Sequence, residues 1–178
     1  MVVILMGVSG SGKTVAGQAL AAKLGWAFED ADGWHSAANV AKMRSGIPLT
    51  DKDREPWLSL LNHAIRGWIA NGTNTVLACS ALTKRYREAL RAGSEHSACL
   101  RFVYLRGTYE QIDRRLRQRS GHFMPESLLR SQFETLEEPG PEEAVAVDAA
   151  MPVPNVVDTI IAALALEDAS RGRPASGN

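Results

Sequence analysis

The sequence predicts an α/β fold of three layers, a central parallel sheet with helices on both faces. Three observations carry that expectation. Short apolar or β-branched runs alternate with segments of helical spacing, the pattern of βαβ units. A glycine-rich octet, Gly7 to Thr14, stands between the first such run and the first helix. The chain has 178 residues, 45% of them hydrophobic and 22% charged, which is the size and composition of one globular domain.

The first strand is Val2 to Met6, apolar throughout, as a strand covered on both faces requires. It lacks a basic flank and runs into glycine, so it is neither a signal peptide nor a membrane span. A helix over 14–24 follows the octet, then a short strand around Trp26–Phe28. Ala31 to Pro56 has no strand pattern, is dense in polar and charged residues, and holds Gly33, Gly46 and Pro48. It reads as an insert. Trp57, Leu61, Ala64, Ile65 and Trp68 then recur on one helix face.

Further strands are expected at Thr75–Cys79, Leu100–Leu105 and, more weakly, Ala144–Val147, all central and buried. Thr108 with Gln111 forms a capping box for a helix begun by Ile112 and Leu116. Ser120 to Pro125 is irregular, and Pro125 suits the first turn of another helix. Ile160 to Leu166 is too short to cross a bilayer. The expected organisation is one domain over 1–169, with an insert at 31–56 and a lid at 117–133, then a flexible tail at 170–178.

Twenty basic and twenty acidic side chains cancel, with a pI near 6.9, which argues against a nucleic-acid coat or a polybasic membrane binder. The balance is uneven along the chain: residues 84–119 hold ten basic and four acidic side chains, and 134–168 hold nine acidic and no basic ones. The positive block is expected to approach phosphate. Cys79 and Cys99 fit neither a metal-ligand spacing nor a disulfide framework and read as reduced core residues. The cytoplasm is the expected compartment.

The octet Gly7, Val8, Ser9, Gly10, Ser11, Gly12, Lys13, Thr14 fits G-x-x-x-x-G-K-[ST], a pattern that arises by chance in under about 1% of chains this long. It needs a strand before it and a helix after it, and both are expected. The glycines let backbone N–H groups converge on phosphate oxygens, and the following helix adds its positive end. Lys13 reaches the β- and γ-phosphates, and Thr14 offers a hydroxyl to Mg²⁺. ATP and Mg²⁺ are therefore the expected ligands.

Asp30 and Asp32 point to the same side if the chain is still extended there, at the carboxyl ends of the strands, where open α/β sheets bind ligands. One carboxylate would orient Mg²⁺ through water, and the other would accept a hydroxyl proton. Downstream, His35 and Arg54 are read as substrate contacts, since arginine grips a carboxylate bidentately. Lys42, Arg44 and Asp51 are read as a solvated helix face, and Thr50 with Asp53 as a capping box. Arg114, Arg115, Arg117 and Arg119 crowd one helix. Arg115 and Arg119 share a face and are the expected phosphate-neutralising pair, with Arg114 and Arg117 left to solvent.

With these segments assembled, the chain resembles the gluconokinase family, small P-loop kinases related in fold to shikimate and adenylate kinases. The resemblance rests on Met6 to Lys13, on Asp30 and Asp32 with His35, Asn39, Lys42 and Met43, and on Gly46 to Arg54 with Pro56, Trp57 and Leu58. It continues in Cys79 to Leu82 with Tyr86 and Arg87, His122 to Met124, Ser131 to Phe133, and Leu136 with Glu137. It implies ATP-dependent phosphorylation of D-gluconate at the 6-hydroxyl, usually by a homodimer. It implies Lys13 and Thr14 for ATP and Mg²⁺, Asp32 as base, and Arg54 and Arg87 as candidates for the sugar-acid carboxylate. It also implies Arg115 and Arg119 as lid residues and an adenine pocket near Pro152. The rivals are a kinase for another acceptor, shikimate-like or a nucleoside monophosphate, and a nucleotide-binding regulator without turnover.

Overall fold

The computed structural model describes residues 1–95, 97–118 and 126–166. Five strands, β1 (Val2–Met6), β2 (Ala27–Asp30), β3 (Thr75–Ala78), β4 (Leu100–Arg106) and β5 (Val145–Asp148), form one sheet in the order β2-β3-β1-β4-β5. Every neighbouring pair is parallel; Val2 aligns with both Thr75 and Leu100. The helices are α1 (Lys13–Leu24), α2 (Ala37–Arg44), α3 (Asp51–Ala70), α4 (Lys84–Arg91), α5 (Tyr109–Gln118), α6 (Glu126–Thr135) and α7 (Val153–Ala163).

The unbroken apolar run of β1 follows from its place at the centre. Alternate side chains point to opposite faces. Val3 and Leu5 enter a core with Leu20 of α1 and Val156 and Ile160 of α7. Val2, Ile4 and Met6 enter a second core with Trp57, Leu61 and Ile65 of α3 and Leu90 of α4. Each large apolar side chain so buried contributes about 1.5–3 kcal/mol, so β1 fastens both helical layers to the sheet.

Burial holds for β1, β3 and Phe102 to Leu105 of β4 but not for the two edge strands: β2 has Ala27 exposed and the rest half-buried, and β5, also expected to be central and buried, buries only Val147. β2 runs to Asp30, two residues beyond the expected end. Cys79 is buried, whereas Cys99 is exposed, because it precedes β4 rather than lying in it; it is not a core residue. The expected insert is not all irregular. Ala31–Trp34 form a 3-10 turn, α2 follows, and α3 begins at Asp51 and carries Pro56 inside it. The Thr50/Asp53 capping box forms in both directions and starts α3. Thr108 and Gln111 likewise cap α5.

Residues 119–125, which include the whole of the expected lid's irregular part, and 167–178, which include the expected tail, lie outside the described residues. Among the described residues no helix is long and apolar enough to cross a membrane. The strand order reverses between β1 and β3, since the chain leaves β1 for the β2 edge and leaves β3 for β4. Ligands bind outside the carboxyl ends of strands at such a switch. There the Gly7 N–H donates to the Ser80 carbonyl at 3.2 Å, joining the two strand ends.

Candidate active site

The octet forms the turn between β1 and α1. Gly7 has φ 139°, and a Cβ there would meet the Leu105 carbonyl at 2.9 Å, so only glycine lets the loop leave β1 this close to β4. Gly12, at φ 95°, precedes the helix, with open space where a Cβ would stand. Backbone N–H groups are thus left accessible at the positive end of α1. Lys13 is half-buried and reaches back across the loop, its ammonium donating to the Gly7 and Val8 carbonyls at 2.9 Å each. Burial pushes its pKa down, opposed first by Asp32.

The loop divides two cavities. On one side a cavity of about 300 Å³ is lined by Gly10, Ser11, Gly12, Arg115, Met151 and Val153 among others. Pro152, the residue before α7, lies between two of its lining residues. On the other side a cavity of about 230 Å³ brings together Ser9, Lys13, Asp32, His35 and Arg54, with Trp57, Ser80, Tyr86 and Gln132. A donor nucleotide and an acceptor need just such separate rooms meeting at one phosphate loop. A larger and more open cleft of about 510 Å³, around Arg91 and Arg101, lies at the amino ends of the strands, away from the loop.

Thr14 Oγ1 donates to Asp30 Oδ2 at 2.9 Å, so hydroxyl and carboxylate already face one another beside the loop, the hard oxygen pair a Mg²⁺ ion favours. The chain does not stay extended through Asp32. Asp30 instead caps the 3-10 turn, accepting the Asp32 N–H at 3.1 Å. The turn, rather than strand alternation, is what carries Asp32 into the acceptor cavity. It is held from below: Trp57 Nε1 donates to the Ala31 carbonyl at 2.8 Å, and the Trp57 ring stacks on His35 at 4.2 Å. Burial lowers the His35 pKa, Asp32 opposing and Arg54 adding to the effect, and its Nδ1 is buried without a partner among the described residues.

Arg54, on α3, donates through Nη1 to the Leu49 carbonyl at 2.6 Å and to the Tyr86 hydroxyl at 3.1 Å. The guanidinium lies over the Tyr86 ring at 5.4 Å, and its Nε and Nη2 make no hydrogen bond among the described residues, which leaves them for a ligand. Tyr86 in turn donates to Asp51, so the residue expected to be merely solvated props the arginine; Asp51 also pairs with Arg85 at 3.0 Å. Lys42 pairs with Asp53 at 2.6 Å, and that lysine with Thr50 holds the Asp53 carboxyl well below the usual carboxylate range. Lys42 is therefore structural.

Arg87 does not join this group. It is 2% exposed, paired bidentately with Glu143 at 2.7 and 3.0 Å. Its Nη1 donates to the carbonyls of Ala81, Leu82 and Glu137. Its carboxylate-binding edge, Nε with Nη2, is already taken by Glu143, and it does not line the cavity that holds Asp32 and Arg54, so that candidate role is withdrawn. Arg87 instead clamps the turn after β3, where Ala81 is held at φ 44°, a strained conformation for a residue with a Cβ, between cavity-lining Ser80 and Leu82. Arg115 lines the nucleotide-side cavity; Arg114 is exposed, and Arg117 pairs with Asp113 at 2.8 Å. Arg119 lies outside the described residues. Cys79, buried beside the loop, has its thiol pushed up to about 12 by burial and is a packing residue.

Sequence reasoning assigned no role to Trp57, Tyr86 or Gln132. Trp57 showed in a helix stripe and in the Pro56 to Leu58 segment, and Gln132 carried no signal beyond the Ser131 to Phe133 segment.

A family model described as "AAA domain" matches residues 2–139. A "Probable gluconokinase" of Xenopus tropicalis is 46% identical over 173 residues, covering 90% of this chain and 91% of that protein. A "Thermosensitive gluconokinase" of Escherichia coli K12 is 47% identical over 157 residues, covering 87% and 82%. Among solved structures, a gluconokinase from Sinorhizobium meliloti 1021 superposes with a TM-score of 0.81 at 43% identity, covering 92% of this chain and 90% of that one.

Proposed function

The chain belongs to the gluconokinases, within the AAA-domain family of P-loop proteins, and from that premise we propose that it transfers the γ-phosphoryl group of ATP to the 6-hydroxyl of D-gluconate. The observation that carries the reading is the pair of cavities on either side of the loop, one of them holding Lys13, a carboxylate and a half-free arginine together.

The acceptor fits the cavity by charge and by polarity. Gluconate is a small polyol with one carboxylate. Arg54 offers Nε and Nη2, a geometry suited to bidentate recognition, and Asp32 and His35 offer hydrogen bonds to hydroxyls. With the carboxylate on Arg54, the far hydroxyl is directed toward Lys13. The hydroxyl oxygen attacks the γ-phosphorus in line, the bond from that phosphorus to the β,γ-bridging oxygen breaks, ADP departs, and the hydroxyl proton passes to Asp32. Lys13 and the N–H groups of Gly10, Gly12, Lys13 and Thr14 stabilise charge on the phosphates, and Arg115 adds a cation from the nucleotide side. Positioning and electrostatics supply most of the acceleration.

Thr14 and Asp30, by way of water at Asp30, are the residues that would hold Mg²⁺. Bound there, the ion would neutralise charge on the β- and γ-phosphates. The reading puts the adenine near Pro152 at the start of α7, supported by Met151 and Val153, which line the nucleotide-side cavity. The reading includes Arg119 as a lid residue, a single kinase domain over 1–169 with an acceptor-binding insert at 31–56 and a lid at 117–133, and a tail at 170–178. A homodimer is supported by the family resemblance, and a cytoplasmic location by the need for ATP as donor.

The test is a coupled assay with Mg-ATP over a panel of gluconate, shikimate, nucleoside monophosphates and other sugar acids. Gluconate is expected to rank first, and another acceptor ranking ten-fold higher overturns the substrate. Tight nucleotide binding without turnover on any acceptor favours a regulator. Asp32→Ala is expected to lower kcat by about 10²–10⁴-fold with ATP affinity retained; near-normal turnover removes Asp32 as the base.

A further inference from the structure

Gln132 of α6 makes a two-point contact with the phosphate loop that the mechanism above does not use. Its side-chain oxygen accepts the Ser9 backbone N–H at 2.7 Å, and its amide donates to the Ser9 hydroxyl at 3.1 Å. The assignment of oxygen and nitrogen is forced, because the Ser9 N–H can only donate and so requires the oxygen opposite it. The hydroxyl, having accepted from the amide, keeps its own proton to give. Both residues line the acceptor cavity with Lys13 and Asp32.

α6 can hold such a geometry because it is itself anchored. Leu129 is buried in the core beneath the loop, and Phe133 meets Tyr109 of α5 edge-on at 5.4 Å. Ser9 stands at the upstream end of the loop, the end to which Lys13 reaches back. The phosphate that lysine contacts on the acceptor side is the terminal one, which ATP has and ADP lacks.

Resting on the kinase reading above, we propose that Gln132 is a positioning residue, which orients the Ser9 hydroxyl to donate its proton to a γ-phosphate oxygen at the boundary between donor and acceptor. Gln132→Glu separates this role from a merely structural one. A glutamate still accepts the Ser9 N–H, but its second oxygen also accepts, so the Ser9 hydroxyl turns toward the carboxylate and away from the phosphate. The tie between α6 and the loop survives while the orientation is inverted.

The experiment measures kcat, KM for ATP and gluconate, and the Kd of ADP and of a non-hydrolysable ATP analogue for wild type, Gln132→Glu, Ser9→Ala and the double variant, with Tm as the check on folding. The two single variants are each expected to lose about 10- to 100-fold in kcat, by analogy with removal of a donor to developing charge. The analogue should bind less tightly while ADP affinity stays within two-fold. The double variant should fall no more than two-fold below Ser9→Ala, because the two residues act as one unit. Gln132→Glu with kcat and analogue affinity within two-fold of wild type overturns the proposal, as does a double variant whose losses multiply. If Gln132→Glu does not fold, Ser9→Ala alone decides, and unchanged kcat and analogue affinity there overturn it equally. Wild type failing to phosphorylate gluconate refutes the acceptor, and the ratio of analogue to ADP affinity then still decides on Gln132.

Discussion

Arg87 offers the sharpest test, because its two readings predict opposite outcomes. Its side chain is 2% exposed and that of Glu143 16%, and its three donor nitrogens are all engaged, by Glu143 and by the carbonyls of Ala81, Leu82 and Glu137. Arg87→Ala leaves a half-enclosed carboxylate without its cation and carbonyls without a donor. Breaking a buried ion pair costs about 3–5 kcal/mol, and the residual exposure of Glu143 sets the lower end, about 3 kcal/mol, as the expectation. For a domain of this size each kcal/mol shifts Tm by about 2–4 °C, so Tm should fall by about 6–12 °C. The turn at Ala81, released from its clamp, relaxes from φ 44°, and turnover falls with it. Glu143→Gln, which does not touch the acceptor cavity, should lower Tm in the same direction and leave KM for gluconate within two-fold. Thermal unfolding beside steady-state kinetics reads both. A residue that held the substrate carboxylate would instead give Arg87→Ala an unchanged Tm and a raised KM, with Glu143→Gln silent, and that result refutes the clamp.

Arg54→Ala should raise KM for gluconate about 10- to 100-fold, the worth of one charge-assisted hydrogen-bonding group, with KM for ATP within two-fold; Arg54→Lys should restore little, since an ammonium cannot reproduce the fork. An unchanged KM for gluconate removes Arg54 from the carboxylate site. For His35, burial lowers the folded-state pKa below the ordinary value near 6.5, so the unfolded chain binds the proton more readily. Its contribution is fully present above about pH 6.5 and is lost as pH falls below that value. His35→Phe keeps the stack on Trp57 without the titration, so wild-type Tm should drop relative to the variant between pH 7.5 and 5; parallel curves contradict the assignment.

What could be read from the chain alone follows from where each residue's constraint lies. β1, β3 and β4 were legible to within a residue or two because strands buried on both faces need continuous apolar runs. β2 was read short because an edge strand ending in Glu29 and Asp30 needs no such run. The phosphate loop was legible because its geometry is a local demand on eight consecutive residues. Arg87 was misread because a basic residue on a helix gives no sign of a partner 56 positions away. The Ser9–Gln132 contact spans 123 positions and leaves no local trace at all. Asp32 was placed in the acceptor cavity for the wrong local reason, strand alternation, where a 3-10 turn capped by Asp30 and seated on Trp57 does the work.

The opposed charge blocks acquire a different meaning once folded. Two residues of the acidic stretch fasten the first part of the basic one: Glu143 takes Arg87, its carbonyl accepts from Arg91 at 3.3 Å, and Glu137 caps the Lys84 N–H at 2.6 Å. Glu138 accepts from Tyr104, and with burial it pushes that phenol up to about 12. Arg85 is paired with Asp51. Arg85 and Arg87 of α4 are thus neutralised as structure and Arg91 is held by the Glu143 carbonyl and the Phe102 ring, while Arg115 of α5 lines the nucleotide-side cavity and Lys13 and Arg54 line the acceptor side. The net charge of zero conceals this division. Cations near the phosphate loop come from three separate elements, each aimed at one anionic group of two anionic substrates, and within the positive block Arg85, Arg87 and Arg91 serve instead to fasten α4.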